Sequence, residues 1–495
     1  DANDLANTAW WKQFDDPVLD DLVSTALHQN HDLLIATARI EEFAGRYGIV
    51  RAELFPQVGA GYEASRQRNT LPGANNPATY NAYQAVIAAS WEIDLWGRIR
   101  RLNEAAKAQL LASEDARRAV VLSLVGRVAG AYVNLRDLDR QLEIARATAK
   151  SRGESYDVFK DRYMGGVISI LELSQNKSQY DEALASIPPI EKAIAQQENG
   201  LSVLLGRNPG PIARGKNIDQ LTLPTIPAGL PSDLLERRPD IQLAEQNLIA
   251  ANALIGAAKA AYFPTISLTG LFGYASNGLS NLFDSQSKVW QYAAPIQLAE
   301  QNLIAANALI GAAKAAYFPT ISLTGLFGYA SNGLSNLFDS QSKVWQYAAP
   351  ISMPIFTAGA IAGQVQEAEA AQQQALFAYQ RTIQEAFREV NDALVNQERT
   401  REQLRAQKQQ VQALEQYSAT ARLRYDNGYT SYIEVLDSER SLFNVQLQYA
   451  QTQQVQFQAM INLYLAMGGG WVNEAAEMSS AKPDKNAMRD PGPTR

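Results

Sequence analysis

Cysteine is absent from this chain, and histidine occurs only as His28 and His31. Without thiols there is no thiolate chemistry and no disulfide, and most zinc and haem schemes fall away. The two histidines stand three apart in "TALHQNHDLL". On a single helix they share one side, where solvated surface is expected rather than a metal pair. No dense basic run occurs, and 51 acidic against 44 basic residues leave a formal net charge of −7. Nucleic acid is therefore not expected as a partner. No apolar run approaches the ~18–20 residues that a membrane-spanning helix needs. The opening "DANDLANTAWW" lacks a charged-then-apolar export signal, as a mature or trimmed chain would.

Catalytic patterns are missing as well. The sequence contains no GxxxxGK[ST], no HExxH and no GxSxG. Gly468, Gly469 and Gly470 follow "INLYLAM" and read as a helix stop rather than a phosphate cradle. No nucleophile–base set or metal cluster can be assembled. Neither an enzyme nor a bound cofactor is expected.

What is present is helical pattern on a long scale. Residues 360–427 hold no proline. Leu376, Tyr379, Ile383, Phe387, Val390 and Leu394 recur at helical spacing, with Gln, Glu, Arg and Asn between them. At ~1.5 Å per residue such a helix is about 100 Å long. That length requires a coiled coil or the wall of something tall. Residues 99–163 repeat the plan, with a weak point expected at Gly126, Gly130 and Gly153.

Each long helix runs into a similar break, "RYMGGVISILELSQ" at 162–175 and "RYDNGYTSYIEVLD" at 424–437. Gly166 and Gly428 can take the positive φ that ends the first helix of each pair, and Ser169 and Ser431 can cap the second. Arg162-Tyr163 and Arg424-Tyr425 precede the two breaks, and Glu172 and Glu434 follow at one offset. The expectation is two helical hairpins with matching tips. The shorter helices span 168–205 and 431–467.

Strand pairs lie elsewhere. "FPQVGAGYEAS" places Val58, Ala60, Tyr62 and Ala64 on one side. "YQAVIAASWEIDLW" does the same with Tyr83, Ala85, Ile87, Ala89, Trp91, Ile93 and Leu95. The second half carries "FPTISLTGLFGY" and "VWQYAAPISMPIF". Alternation with an apolar outer face and long polar loops fits a transmembrane β-barrel, though a soluble sandwich has the same alternation. Four strands cannot close a barrel, so the membrane reading needs several chains.

The stretch "PAGLPSDLLERRPDIQLAEQNLIAANALIGAAKAAYFPTISLTG", 227–270, resembles the outer-membrane factor family, the TolC-like efflux ducts, and most of all its OprM-type lipoprotein branch. "ELFPQVG", "WEIDLWGRIR", "PIFTAGAI", "YIEVLDSERSLF" and "INLYLAMGGGW" support it in family order from about residue 10 to 471. The resemblance implies an α+β membrane protein. Three copies would form a transmembrane β-barrel with four strands per chain, twelve in total. A long periplasmic α-helical barrel with an equatorial belt would continue it, each chain holding two internal structural repeats. The belt would come from 1–35, 207–240 and the C-terminal segment. That branch begins with a lipid-bearing cysteine, so a trimmed or substituted N-terminus is expected.

The implied organisation is an N-terminal segment and helix at 1–54, a first β-hairpin at 55–97 and a first helical hairpin at 98–206 with its tip at 162–169. An equatorial segment and helix follow at 207–262, and a second β-hairpin region at 263–357. A second helical hairpin spans 358–467 with its tip at 424–431, and 468–495 is an equatorial or disordered tail. The implied function is a passive duct in the outer membrane of a tripartite efflux system, carrying drugs or toxic solutes. The implied partners are outer-membrane lipid, a periplasmic adaptor (membrane fusion) protein and an inner-membrane RND-type pump. A soluble coiled-coil protein and a duct for type I protein secretion are the alternatives.

The resemblance also assigns the tips. Arg162, Tyr163, Gly166, Ser169, Arg424, Tyr425, Gly428 and Ser431 would meet the adaptor. Ile433 would be an apolar ring of the periplasmic gate, Glu434 an acidic ring, and Asp437 with Arg440 a polar lock between neighbours. Charge spacing alone reads the same four residues as a solvated helix face.

Residues 241–295 recur letter for letter as 296–350. Identity without drift marks a recent duplication, a deliberate construction or a recording error. Either one copy loops out of the regular fold or each chain brings six strands, eighteen in all. The first is expected, because a copied helix of about 30 Å has no return segment. Helix 241–262 and the strand running into 351–357 should then be in place.

Overall fold

The computed structural model describes residues 9–69, 78–224, 237–260, 265–276, 279–283, 288–293, 296–297, 320–321, 324–329, 343–348, 351–352 and 360–468. The tail expected beyond 468 and the strand expected at 353–357 lie outside the described residues. The chain divides into two compact units, one of residues 1–38, 114–242 and 381–495, the other of 39–113 and 243–380.

In the first unit, a 3-10 turn at Trp10–Phe14 leads into helix α1, Pro17–Gln29. Asp16 caps α1 by accepting from the Val18 amide at 2.9 Å, and Pro17 occupies the first helical position, where no amide donor is missed. The chain turns extended at Asn30, with ψ 127°, before α2, His31–Ala52. Asn30 fixes this corner by donating to the Leu204 carbonyl at 2.8 Å and accepting from the Leu33 amide at 3.1 Å. His28 and His31 therefore fall on two helices, not on one side of a single helix as expected from their spacing.

α3, Arg98–Met164, has 67 residues and is followed by α4, Ile170–Leu204, of 35. An 18-residue window of α3 is apolar enough on average for a membrane span, but 56% of it is buried in the protein, as for a core helix. Val121, Leu124, Val125, Val128 and Tyr132 of α3 join Trp10, Trp11, Phe14, Leu201, Ile461 and Tyr464 in one buried cluster. Trp10 stacks on Tyr464 at 5.4 Å between ring centroids, and Phe14 meets Phe457 at 5.6 Å.

Gly126, Gly130 and Gly153 do not weaken α3, which runs unbroken through them. They are places of close approach. A Cβ on Gly126 would stand 2.5 Å from Leu465, one on Gly130 2.5 Å from Gln458, and one on Gly153 3.0 Å from Tyr180. The expected weak point is in fact a packing seam. Pro188 and Pro189 sit inside α4, removing amide donors from its middle without ending it.

In the second unit, strand β1, Gln57–Asn69, pairs antiparallel over its whole length with residues 78–90 of β2, Ala78–Ile93. β2 pairs in turn with β3, Thr265–Ser276, and β3 with β4, Lys288–Ala293. Val58 faces Ala89, Ala60 faces Ile87 and Tyr62 faces Ala85, so the two apolar sets read from alternation share one face. Trp91 and Leu268 continue it, and Val58, Tyr62, Ile87 and Leu268 are more than half exposed on this chain. At the sheet-to-helix corner the Glu92 carboxylate accepts from Nε and one terminal nitrogen of Arg98, at 2.9 and 2.7 Å. Asp94 accepts the Ile99 and Arg100 amides and so caps α3. This explains the "WEIDLWGRIR" run.

Helix α5, Pro239–Ala260, leads into β3 and packs Ala253 and Leu254 on Ala105. β5, Ile296–Gln297, extends the β4 pairing along β3. The second copy repeats this arrangement with β6, Thr320–Ile321; β7, Thr324–Tyr329; β8, Lys343–Ala348; and β9, Ile351–Ser352. β7 runs beside β4, and no ladder joins them among the described residues. Helix α6, Ala360–Asp426, again has 67 residues and α7, Tyr432–Ala466, again 35.

Candidate gate at the helical tips

Both tips lie in the first unit and are built alike. Gly166 has φ +73° and Gly428 φ +78°, the left-handed conformation that glycine adopts without a Cβ penalty. At the first tip Gly166 donates to the Tyr163 carbonyl and Val167 to the Arg162 carbonyl, both at 2.9 Å. At the second, Gly428 donates to Tyr425 at 2.9 Å and Tyr429 to Arg424 at 2.8 Å. The repeated Arg-Tyr thus supplies the last carbonyls of each long helix to one and the same turn.

The caps differ. Ser169 accepts from the Glu172 amide at 3.3 Å while Glu172 accepts from the Ser169 amide at 2.9 Å, a complete capping box. Ser431 occupies the corresponding position without a side-chain cap bond, contrary to expectation. There Thr430 donates to Glu434, whose carboxylate also lies 3.9 Å from Arg424. Ser169→Ala is expected to destabilise the start of α4 by about 0.5–2 kcal/mol. Faster amide exchange at 170–173 would register it, whereas Ser431→Ala should leave α7 protection nearly unchanged.

An aromatic cluster holds the hairpins together just above the tips. Phe159 and Tyr432 are 4.1 Å apart between centroids, Tyr425 and Tyr432 5.1 Å. Asn176 of α4 donates to the Tyr432 hydroxyl at 2.6 Å, and burial pushes that phenol's pKa up. Tyr425, expected at the contact surface, packs partly buried against this cluster. The most exposed apolar groups at the tips, among the described residues, are Met164, Val167 and Tyr429, each more than 70% exposed. Their position beside the turn glycines was the available signal.

Above the cluster, charged side chains link all four helices. Arg152 of α3 is 4% exposed, donates to the Gln179 carbonyl at 2.8 Å and lies over the Phe443 ring at 5.4 Å. Arg422 of α6 donates to Ser155 of α3 at 3.3 Å and stands 3.8 Å from Glu439 of α7. Burial raises the Glu439 pKa even though Arg422 and Arg152 lower it. Sequence spacing did not single out these residues.

The four gate candidates share the start of α7. Ile433 is exposed, and Asp437 accepts from Arg440 at 2.9 Å within the same chain. With Gln175, Ser178, Gln179 and Tyr417 they line a groove of about 590 Å³. The groove offers carboxylates, a guanidinium and an apolar side chain, which can sort ions by charge and exclude water. Among the described residues no cluster suited to a metal ion occurs.

Two long helical hairpins and an antiparallel sheet with an exposed apolar face occur in one chain. The chain belongs to the outer membrane efflux protein family, whose profile matches residues 22–207, 230–298 and 291–469. The last two matches overlap across the boundary between the copies. Among its relatives, the toluene efflux pump outer membrane protein TtgC of Pseudomonas putida is 34% identical over 476 residues, 95% of this chain and 87% of that protein. The cation efflux system protein CusC of Escherichia coli is 33% identical over 471 residues, 95% of this chain and 90% of that one. A crystal structure of CusC superimposes with a TM-score of 0.75 at 32% identity, covering 94% of this chain and 95% of that one. The chain is thus an efflux protein of the outer membrane, a transport component rather than an enzyme.

Proposed function

We propose that three copies of this chain form a passive exit duct, each lending four strands to a twelve-stranded barrel and two helical hairpins to a periplasmic tunnel. A periplasmic adaptor meets the tips, an inner-membrane RND-type pump supplies the energy, and drugs or other toxic solutes are the cargo. The observation that carries this is the exposed apolar face of the sheet around Val58, Tyr62, Ile87 and Leu268. Lipid suits such a face, and only closure with other copies removes the free strand edges. The displayed Met164, Val167 and Tyr429 suit a protein partner at the tips.

In this reading the mouth narrows at the start of α7, where Ile433, Glu434, Asp437 and Arg440 each recur three times around the axis. Rings of carboxylates favour cations, and an apolar ring can close a pore by dewetting. Asp437→Ala should raise single-channel conductance severalfold in planar bilayers and reduce cation preference. The fold should be unaffected, because an exposed pair such as Asp437–Arg440 contributes about 0–1 kcal/mol. Unchanged conductance and selectivity would count against the gate, and monomers after cross-linking in detergent would count against the duct.

A further inference from the structure

The edge of β2 has two equal claimants. β3 pairs with β2 from Tyr83 opposite Ser276 to Ile93 opposite Ile266. Residues 320–331 repeat 265–276 without a change. The likeness extends to the folded hairpins. Thr269 faces Ala293 and Tyr274 faces Lys288 in the first copy, and Thr324 faces Ala348 and Tyr329 faces Lys343 in the second. Ile266 faces Ile296 just as Ile321 faces Ile351. Every pairing within the first hairpin that the structure describes has its counterpart in the second. β2 itself has no duplicate.

We infer that either hairpin docks on β2, so that the chain folds into two forms distinguished by which copy fills the sheet. The side chains presented to β2 are the same in both forms, so the cross-strand pairs are the same. The segment left over is 55 residues in either case, and closure entropy depends on that length. The forms differ only in what flanks the docked copy. Ile296-Gln297 runs on into the second copy, whereas Ile351-Ser352 runs on towards α6. A difference so small leaves the two populations within about tenfold of each other, or about 1.4 kcal/mol. The choice is made during folding, because leaving β2 afterwards breaks the whole ladder from Tyr83 to Ile93.

The lack of native cysteine makes the test direct. Ala89 faces Gly270 across the β2–β3 ladder, and the counterpart of Gly270 in the second copy is Gly325. Ala89→Cys with Gly270→Cys reports the first copy on β2, and Ala89→Cys with Gly325→Cys reports the second. After oxidation in detergent, electrophoresis with and without reductant should show an intramolecular bond in at least a tenth of the molecules of each variant. A bond confined to either pair alone overturns the exchange, and a bond in neither overturns the shared register too. Deleting either copy leaves one and the same shortened sequence. With Ala89→Cys and Gly270→Cys that chain should bond throughout, which separates a failure to fold from a failure to exchange.

Discussion

Asp16→Ala is expected to lower the stability of the first unit by about 3–5 kcal/mol. Asp16 is fully buried and its carboxylate is surrounded by donors. It accepts from the Val18 amide at 2.9 Å, from the Tyr132 hydroxyl at 2.7 Å and from the Lys216 amide at 3.0 Å. The Tyr132 hydroxyl accepts in turn from Gly215 at 3.0 Å. One carboxylate thus caps α1, ties it to the middle of α3 and fixes the segment after α4. Alanine would leave three donors without an acceptor in a site closed to water. Asp16→Asn keeps an acceptor for one or two of them and should lose less. Thermal unfolding in detergent, followed by circular dichroism, should rank native above Asn above Ala. An alanine variant melting with the native protein would show that water replaces the lost acceptor.

Asp137→Asn is expected to act in the opposite direction, raising stability at pH 7 by up to roughly 3 kcal/mol. Asp137 is also buried, yet among the described residues only Gln141 donates to it, at 2.8 Å, and its other oxygen has no partner there. Burial pushes its pKa from 3.8 up to about 6, outweighing the Gln141 bond, which lowers it. Between these values the folded protein holds a proton that the unfolded chain has released. The cost of ionising Asp137 is therefore absent at about pH 4, grows as pH rises through this window and is complete above about pH 6. Asparagine keeps the acceptor for Gln141 and carries no charge. Its advantage should be present at pH 7 and gone at pH 4. An equal gain at both pH values would mean that ionisation is not the cause.

The two acids show what could be read from the sequence and what could not. The long helices, the tips and the strand faces follow from local pattern. Gly166 and Gly428 end helices because of their own backbone freedom, and Val58 to Ala64 alternate because a strand has period two. Asp16 could be taken for a cap, since Pro17 follows it, but its bond to Tyr132 depends on a segment far along the chain. Gly126 and Gly130 look like flexible points only while Leu465 and Gln458 are out of view. Asn30 breaks a helix by reaching the Leu204 carbonyl, so the spacing of His28 and His31 misled. Arg152 resembles any solvated arginine in sequence and is buried only because α4 and α7 close over it. Of the candidate site, the positions on α7 were legible from the family likeness. The Thr430–Glu434 bond that displaces the Ser431 cap was not.

That unequal capping gives the two hairpins different trades. In the proposed duct the first, locked by the reciprocal Ser169–Glu172 bonds, would act as a door frame. The second, where one threonine hydroxyl and an outlying arginine meet Glu434 in place of that box, would be the leaf that swings.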